Sequence, residues 1–403
     1  MSKFKTIEDL GNLNGKVVML RADLNVPVDE NFKVTNTARI DRTVPTIKEL
    51  MSKGAKVVVI SHFGRPKGKR TEADSLKHIV GDLEKSLGRK VVFVDDCIGP
   101  KVKEAISKMG KDEVLLLENL RFYAEEEQGG ENFAKELVAP VDAYVSDAFS
   151  TAHRAHASMV AAVKLRPSSM GRLMEEEVNA LDNALSNPKR PLMAIVGGSK
   201  VSTKLDLLNN LVKKVDKLVI SGGMAHTFMY ANGVTTVNEK NSLVQLDMID
   251  TSKQIMATAK ANNCEIILPL DVVVSKEFKA GAEHKTVGLN EIPADGWILM
   301  DVGAKTISEI NAKLDECKTL VWNGPLGVFE LPPFDTATNE VAKHTARLTE
   351  AGWLMSVGGG GDTVSALEHA GVAEKMTYVS TAGGAFLEWM EGKELPGVAV
   401  LKK

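Results

Sequence analysis

Short apolar runs recur through the whole chain, and each is followed by a polar or glycine-rich turn and then by a helical pattern. This alternation is typical of an α/β protein, in which helices connect parallel strands. The runs are rich in β-branched residues and apolar on both alternating faces, as strands of a helix-covered sheet must be. They form two sets, at residues 16–20, 55–60, 114–117 and 142–145 and at residues 192–196, 217–220, 265–268, 297–300, 319–322 and 353–357. Two parallel sheets are the simplest account of this pattern.

The composition is that of a globular protein. A chain of 403 residues exceeds what one hydrophobic core usually supports, so two domains of roughly 200 residues each are expected. With 44% apolar residues, 26% charged residues and a formal net charge of -3, the chain fits neither a disordered protein nor a nucleic-acid-binding one. The start, MSKFKTIEDL, lacks the apolar core of a secretory signal, and no apolar run approaches the roughly 20 residues that span a bilayer. We therefore expect a cytoplasmic protein with no membrane partner and no nucleic-acid partner.

A predicted amphipathic helix separates the two sets of strands. Its apolar stripe consists of Met174, Val178, Leu181 and Leu185. Asn187 ends the helix, because the residue before a proline avoids the helical region. We interpret the segment as a connector, with a first domain at 1–171, a hinge helix at 172–187 and a second domain from 188 onward. An ordinary surface helix inside one domain is the alternative.

Cationic side chains follow the strands of the first half. In an open parallel sheet, ligands bind beyond the carboxyl ends of the strands, and the fold would bring these cations to one edge. Cations so placed repel each other unless an anionic ligand binds among them, and arginine suits bidentate contacts to carboxylate or phosphate. For any single arginine, a surface salt bridge is the alternative. The set consists of Arg21, His62, Arg65, Arg121, His153, Arg154 and His156.

The strand ends of the second half carry glycine and lysine instead. Residues 197–204, GGSKVSTK, follow a strand and open a predicted helix on which Lys200 and Lys204 share a face. A helix N-terminus disfavours cations by roughly 0.3–1 kcal/mol each, and bound phosphate would reverse that sign. Lysines that merely point into water are the alternative. The pattern is not a Walker A sequence, because G-x-x-x-x-G-K-S/T does not occur.

A second glycine cluster, Gly358–Gly361, precedes Asp362 and Thr363 and also joins a strand to a helix. Asp362 is a good helix cap, but four glycines exceed what a cap needs. Close approach of a phosphate, with Mg²⁺ held by Asp362, would explain both features. Further turns at 221–223, 322–325 and 381–384 follow strands and complete the outline of a nucleotide site.

An anion site in one domain and a phosphate site in the other predict a kinase. We expect two Rossmann-like domains that face each other across a cleft, are joined by the hinge helix and close to exclude water during transfer. A nicotinamide dehydrogenase would need G-x-G-x-x-G with an acidic residue about 20 positions later, and no such unit is apparent. A kinase for another carboxylate substrate and a non-catalytic nucleotide-binding module are the remaining alternatives.

Seven strings in order resemble the phosphoglycerate kinase family over essentially the whole chain. They are RADLNVP (21–27), SHFGRP (61–66), LLENLRF (116–122), SDAFSTAHRAHASM (146–159), VGGSKVSTK (196–204), WNGPLGVFE (322–330) and GGGGDT (358–363). The resemblance implies reversible in-line phosphoryl transfer from 1,3-bisphosphoglycerate to Mg-ADP, which gives 3-phosphoglycerate and ATP. It also implies a monomer, a second domain that ends at residue 384, and a segment 385–403 that returns to the first domain.

The resemblance also assigns residues. It implies that 3-phosphoglycerate is held by Asp23, Asn25, Arg39, His62, Phe63, Gly64, Arg65, Arg121 and Arg154. It implies that the nucleotide is held by Lys200, Lys204, Gly222, Gly223, Asn323, Glu330, Gly360, Gly361, Asp362 and Thr363. Asp362 is implied beside Mg²⁺, and the catalytic residues are implied to be Arg39, Lys200 and Lys204. His226, in the string GGMAHTF, departs from the family's pattern.

Overall fold

The structure, a computed structural model, describes residues 3–403. The chain divides into two compact units, of which the first comprises Met1–Val178 with Glu394–Lys403 and the second comprises Asn179–Lys393. Each unit has its own buried apolar core.

A six-stranded parallel sheet forms the centre of the first unit, in the order β3-β4-β2-β1-β5-β6. The strands are β1 Val17–Ala22, β2 Lys56–Ile60, β3 Lys90–Val94, β4 Glu113–Leu117, β5 Ala143–Asp147 and β6 Ser168–Met170. Strands β1, β2, β4 and β5 were predicted from the apolar runs, whereas β3 and β6 were not. Because β2 and β5 lie on opposite sides of β1, the loops after β1 and β5 diverge and leave a crevice between them.

Helices cover this sheet. They are α1 Ala38–Ser52, α2 Val80–Leu87, α3 Pro100–Lys108, α4 Ala124–Glu127, α5 Glu131–Val138 and α6 Ala162–Lys164. The longest, α1, buries Ile40, Val44, Ile47 and Leu50, which share one helical face, in the same core as the strand residues Leu20 and Val57. Burial of this face fixes the position of α1 on the sheet.

The segment predicted as a connector is helical. Helix α7, Arg172–Leu181, continues as a π-helical turn over Asp182–Ser186, and all four residues of the predicted stripe are buried. The boundary between the two units falls within α7, after Val178.

The second unit has a parallel six-stranded sheet in the order β15-β14-β13-β7-β8-β9. Its strands are β7 Leu192–Gly197, β8 Lys217–Ser221, β9 Glu265–Ile267, β13 Thr319–Asn323, β14 Met355–Gly359 and β15 Tyr378–Ser380. The connecting helices are α8 Leu205–Leu211, α9 Gly223–Ala231, α10 Ile249–Ala261, α11 Ala304–Asp315, α12 Thr336–Glu350, α13 Gly361–His369 and α14 Gly384–Met390. The chain order reverses between β7 and β13, so the crevice of this sheet lies at their ends.

A small antiparallel sheet accompanies the second parallel sheet, in the order β11-β10-β12. It consists of β10 Asp271–Ser275, β11 His284–Gly288 and β12 Ile298–Val302. The apolar run 297–300 was predicted as a strand of the parallel sheet, and that assignment is wrong. The run does form a strand, but it pairs with β10, because strand pairing depends on long-range contacts that an apolar run alone does not encode.

The C-terminal residues contain one further helix, α15 Pro396–Ala399. In the first unit, the Gly397 N–H donates to the Ala152 carbonyl at 2.9 Å and Phe4 bridges Lys402. Among residues 3–403, no helix combines the length and the apolar character that crossing a bilayer requires. The predicted α/β fold with two parallel sheets is confirmed.

Candidate functional site

The predicted cations of the first unit follow neighbouring strands. Arg21 lies within β1, His62 follows β2, and Arg121 lies in a 3-10 turn after β4. Strands β4, β2 and β1 are adjacent, so their carboxyl ends share one sheet edge. Arg21, His62 and Arg121 are buried there with 0%, 4% and 3% exposure. Their burial argues against the alternative of surface salt bridges.

Asp23 and Arg39 form an ion pair at this edge. The Arg39 Nη1 lies 2.6 Å from the Asp23 Oδ2, and the Ser150 hydroxyl donates to the same oxygen. The Asn25 N–H donates to the Asp23 Oδ1 at 3.1 Å. Burial opposes ionisation of Asp23, but His62, Arg39 and these hydrogen bonds lower the pKa of its carboxyl. Asp23 is therefore ionised, and its carboxylate holds the side chain of Arg39, which lies in the first turn of α1.

Hydrogen bonds connect the loop after β2 to its neighbours. The Gly64 N–H donates to the Asn25 Oδ1 at 2.9 Å, and the Gly64 carbonyl accepts from the Arg121 Nη1 at 2.8 Å. Gly64 has a φ of 58°, a left-handed conformation that favours glycine. The Phe63 N–H donates to the Asn119 Oδ1 at 3.1 Å, which anchors the loop from β4. The structure thus brings Asn25, Phe63, Gly64 and Arg121 together.

Among the arginines predicted at strand ends, Arg65 and Arg154 are the two that are not deeply buried. Arg65 is exposed and forms no ion pair within residues 3–403. Arg154 is half-buried, and its Nε donates to the His153 Nε2 at 3.2 Å. Burial, Arg154 and Arg21 lower the pKa of Arg121, although Glu127 opposes them. These guanidinium groups therefore retain donors for a ligand.

The histidines of this edge report a positive local field. Burial lowers the pKa of His156 to about 4, and Arg121, Arg21 and Arg154 add to the effect. Burial also lowers the pKa of His62 well below its usual value; the Asp23 carboxylate opposes this, while Arg21, Arg121 and Arg39 reinforce it. Clustered cations without enough counter-charge favour binding of an anion.

The second unit contains a cavity of about 570 Å³ at the ends of β7, β8, β13 and β14. Its position matches the crevice at the reversal of strand order. All but one of the predicted nucleotide residues line it, namely Lys204, Gly222, Gly223, Asn323, Glu330, Gly360, Gly361, Asp362 and Thr363. The exception, Lys200, is exposed and outside the lining.

The two predicted lysines do not share a helical face. A 3-10 turn spans Val201–Thr203, and α8 begins only at Leu205, so Lys200 and Lys204 each lie before a separate helical segment. The Lys204 Nζ instead donates to the Gly197 carbonyl at 2.5 Å and to the Asn323 Oδ1 at 2.6 Å. These acceptors draw the Lys204 side chain to the ends of β7 and β13. Burial lowers the pKa of Lys204 to about 8, although Asp362 opposes the shift.

The four glycines at 358–361 have different roles. Gly358 and Gly359 lie in β14, where a Cβ on Gly359 would come within 2.6 Å of the Phe386 ring. Gly360 has a φ of 96° and begins the turn into α13. Only Gly360 and Gly361 line the cavity. The first two glycines therefore serve strand and helix packing, which corrects the interpretation that the whole cluster serves phosphate.

Polar side chains hold the floor of this cavity together. The Asn323 Nδ2 donates to the Gly359 carbonyl at 2.8 Å, and the Thr363 Oγ1 accepts from the Gly324 N–H at 2.7 Å. Asp362, by contrast, is exposed at the start of α13. Within residues 3–403, no group of three or more potential metal-ligating side chains occurs. Mg²⁺ that accompanies a nucleotide needs only one or two carboxylates together with phosphate oxygens, and Asp362 fits that requirement.

Sequence reasoning missed the apolar wall of the cavity. Leu243, Val272, Phe278 and Leu299 line it, and Leu243 and Phe278 are 55% and 68% exposed. Phe278 belongs to the segment between β10 and β11, so the wall depends on the antiparallel sheet that the sequence pattern did not reveal. Large exposed apolar side chains beside a cavity are typical of a ligand site.

Two titratable side chains in the cavity were also not assigned a role. His226 lies on the first turn of α9, where its Nδ1 accepts from the Leu243 N–H at 3.2 Å and burial lowers its pKa to about 4. Burial raises the pKa of Asp301 to about 8. Asp301 accepts from the Val302 and Ala337 N–H groups at 2.8 and 3.0 Å.

Each unit carries a polar site at the carboxyl ends of its parallel strands. Parallel α/β units with an arginine-rich strand edge in one and a glycine-lysine cavity in the other are the architecture of a phosphotransferase. The sequence profile of the phosphoglycerate kinase family matches residues 7–393. The chain therefore belongs to the phosphoglycerate kinase family, and the prediction of a kinase from this family is confirmed.

Individual phosphoglycerate kinases match this chain over nearly its full length. The chain is 56% identical over 403 residues to the phosphoglycerate kinase of Mesorhizobium japonicum, with 100% of both chains covered. It is 55% identical over 402 residues to that of Methylorubrum extorquens, covering 100% of this chain and 99% of the relative. The solved phosphoglycerate kinase of Coxiella burnetii superposes with a TM-score of 0.90 at 38% identity, covering 99% of this chain and 98% of that one.

Proposed function

We propose that this chain catalyses reversible in-line phosphoryl transfer from 1,3-bisphosphoglycerate to Mg-ADP, giving 3-phosphoglycerate and ATP. The observation that carries the proposal is the convergence of the predicted residues within each unit. In the first unit, hydrogen bonds connect Arg39 with Asp23, Asn25 with Gly64 and Gly64 with Arg121, and in the second unit all but Lys200 line one cavity. Membership of the family supports the same reaction.

The first unit would bind 3-phosphoglycerate. Arg65, Arg121 and Arg154 would contact its phosphate or carboxylate, because these guanidinium groups retain donors. Asp23 would hold Arg39 by their 2.6 Å ion pair so that Arg39 meets the phosphoryl group in transfer. His62 and the loop at Asn25, Phe63 and Gly64 would complete this site.

The second unit would bind the nucleotide. The glycine turns would supply N–H groups to the phosphates, and Lys204 would neutralise charge that develops on the transferred oxygens. Glu330 would lie near the ribose, and Asp362 would hold Mg²⁺. When bound, Mg²⁺ would screen the charge of the phosphate oxygens. Lys200 remains a predicted catalytic residue whose position outside the cavity lining makes its substitution informative.

Three further properties belong to the proposal. The segment 172–187 would act as a hinge that lets the two units close on bound substrates and exclude water. We also propose a monomeric, cytoplasmic protein, in keeping with the family. Sedimentation equilibrium tests the oligomeric state, for which the expected mass is 43.5 kDa.

A coupled assay tests the reaction directly. ADP formation from ATP should depend on added 3-phosphoglycerate and on Mg²⁺, and the Lys204→Ala variant should serve as the inactive control. Activity with acetate but not with 3-phosphoglycerate would favour a kinase for another carboxylate. Nucleotide binding without turnover on either acceptor would favour a non-catalytic nucleotide-binding module.

A further inference from the structure

Arg21 lies behind the substrate edge rather than at its surface. Its guanidinium is fully buried and has three internal acceptors. The Nε donates to the Ser158 Oγ at 2.9 Å, the Nη1 to the Ala22 carbonyl at 2.5 Å, and the Nη2 contacts the His62 Nδ1 at 3.2 Å. Each of its three nitrogens thus already has a partner in the protein, so Arg21 acts on neighbouring side chains.

Ser158 connects Arg21 to a buried carboxylate. The Ser158 Oγ donates to the Glu126 Oε1 at 2.5 Å, and the Ser158 N–H donates to the Glu126 Oε2 at 2.9 Å. Glu126 is 0% exposed, and so is Arg21. Burial raises the pKa of Glu126, while Arg21 and the Ser158 hydrogen bonds oppose the shift, and one hydroxyl joins the two buried side chains. Glu126 thereby fixes the position of the Arg21 guanidinium.

The contact between Arg21 and His62 determines the state of the imidazole. A guanidinium has donors and no acceptor, so the His62 Nδ1 must be the acceptor. A neutral ring that accepts at Nδ1 carries its proton on Nε2. Burial and the cations Arg21, Arg121 and Arg39 lower the pKa of His62 despite the Asp23 carboxylate, which keeps the ring neutral.

We infer that Glu126 is a positioning residue of the substrate site, which acts through Ser158 and Arg21 to hold His62 as the neutral tautomer with its proton on Nε2. His62 then offers one N–H donor to an anionic oxygen. This inference deepens the proposed function and rests on it for the identity of the anion as 3-phosphoglycerate.

Nitrogen-15 NMR of the full chain with labelled histidine tests the inference. The His62 signals are assigned by their loss in His62→Gln. In the unaltered protein, Nε2 should resonate as a protonated nitrogen and Nδ1 as an unprotonated acceptor. In Glu126→Gln and Ser158→Ala, both signals should move towards the average of the two tautomers. The KM for 3-phosphoglycerate should rise roughly threefold to tenfold, as expected for one weakened hydrogen bond. The KM for ATP should stay unchanged.

Ser169→Ala is the matched control, because Ser169 is also fully buried and its hydroxyl donates to the Met170 carbonyl. It should leave the His62 signals unchanged. If Glu126→Gln and Ser158→Ala both fail to fold, the spectrum of the unaltered protein still tests the His62 tautomer. A His62 protonated on Nδ1 overturns the inference. Unchanged His62 signals in either folded variant overturn the role of Glu126. Calorimetry that shows no binding of 3-phosphoglycerate to the unaltered protein would instead refute the proposed substrate, while the His62 spectrum remains independent of it.

Discussion

Among single residues, Lys204 is one whose removal should strongly lower turnover. Its Nζ lies at the ends of β7 and β13, bonded to Gly197 and Asn323. We expect Lys204→Ala to lower kcat by roughly 10²–10⁴-fold, as for other preorganised electrostatic donors, with the affinity for 3-phosphoglycerate nearly intact. Steady-state kinetics and calorimetry measure the two effects, and Lys213→Ala, an exposed lysine of the same unit, is the control. Near-normal turnover in Lys204→Ala would remove Lys204 from the mechanism.

The lowered pKa of Lys204 predicts a pH dependence. The free enzyme should lose the Lys204 charge as the pH rises through about 8, so kcat/KM should fall on the alkaline side. Lys204→Arg should move this fall to much higher pH, because a guanidinium stays protonated. A pH profile of kcat/KM for both proteins makes the comparison, and an identical alkaline fall in Lys204→Arg would assign it to another group.

Arg65 should matter for binding rather than for turnover. Its side chain is exposed and forms no ion pair within residues 3–403, so its donors are available to the ligand. We expect Arg65→Ala to weaken binding of 3-phosphoglycerate roughly tenfold to hundredfold, as for a hydrogen bond to a charged group. Calorimetry gives the Kd. Arg89→Ala, at an exposed arginine that pairs with Asp112, is the control, and an unchanged Kd in Arg65→Ala contradicts the assigned pocket.

Two glycines at the junction of β14 and α13 should differ in their effects. One should affect the stability of the protein and the other the binding of nucleotide. A Cβ at Gly359 would lie 2.6 Å from the Phe386 ring, whereas a Cβ at Gly361 meets nothing within 4 Å. We expect Gly359→Ala to reduce the free energy of unfolding by roughly 1–3 kcal/mol through overpacking. Gly361→Ala should change it by no more than about 0.5 kcal/mol.

Nucleotide binding should be more sensitive to Gly361→Ala than to Gly359→Ala. Because Gly361 lines the cavity, its substitution should raise the Kd for ADP. Urea titration and calorimetry of the two variants give a matched comparison within one glycine run. Equal stability of Gly359→Ala and Gly361→Ala would show that the strand glycines have no packing role.

At the scale of the whole molecule, the proposed hinge predicts closure on substrates. Closure brings reacting groups into line and excludes water, and it should need both ligands. We expect the radius of gyration from small-angle scattering to decrease when 3-phosphoglycerate and the nucleotide are both bound. Each ligand alone is the control. An unchanged radius with both sites saturated would speak against a hinge at 172–187.

Local sequence patterns were enough to predict the α/β class and the position of the polar residues at strand ends. Apolar periodicity and turn chemistry are local properties, so β1, β2 and β7 were predictable from a few neighbouring residues each. The resemblance to the family added Arg39, which lies within a helix and follows no strand. The resemblance also assigned the nucleotide residues, and all of them except Lys200 line one cavity.

How each of these residues is used depends on contacts that exist only in the folded molecule. Arg21 and Arg65 both follow an apolar run in the sequence. In the structure, Arg21 is fully buried among internal partners, whereas Arg65 is exposed. Lys200 and Lys204 are separated by a 3-10 turn, and β12 pairs with β10 instead of the parallel sheet. Burial, strand pairing and side-chain hydrogen bonds join residues far apart in the chain, so local patterns do not specify them.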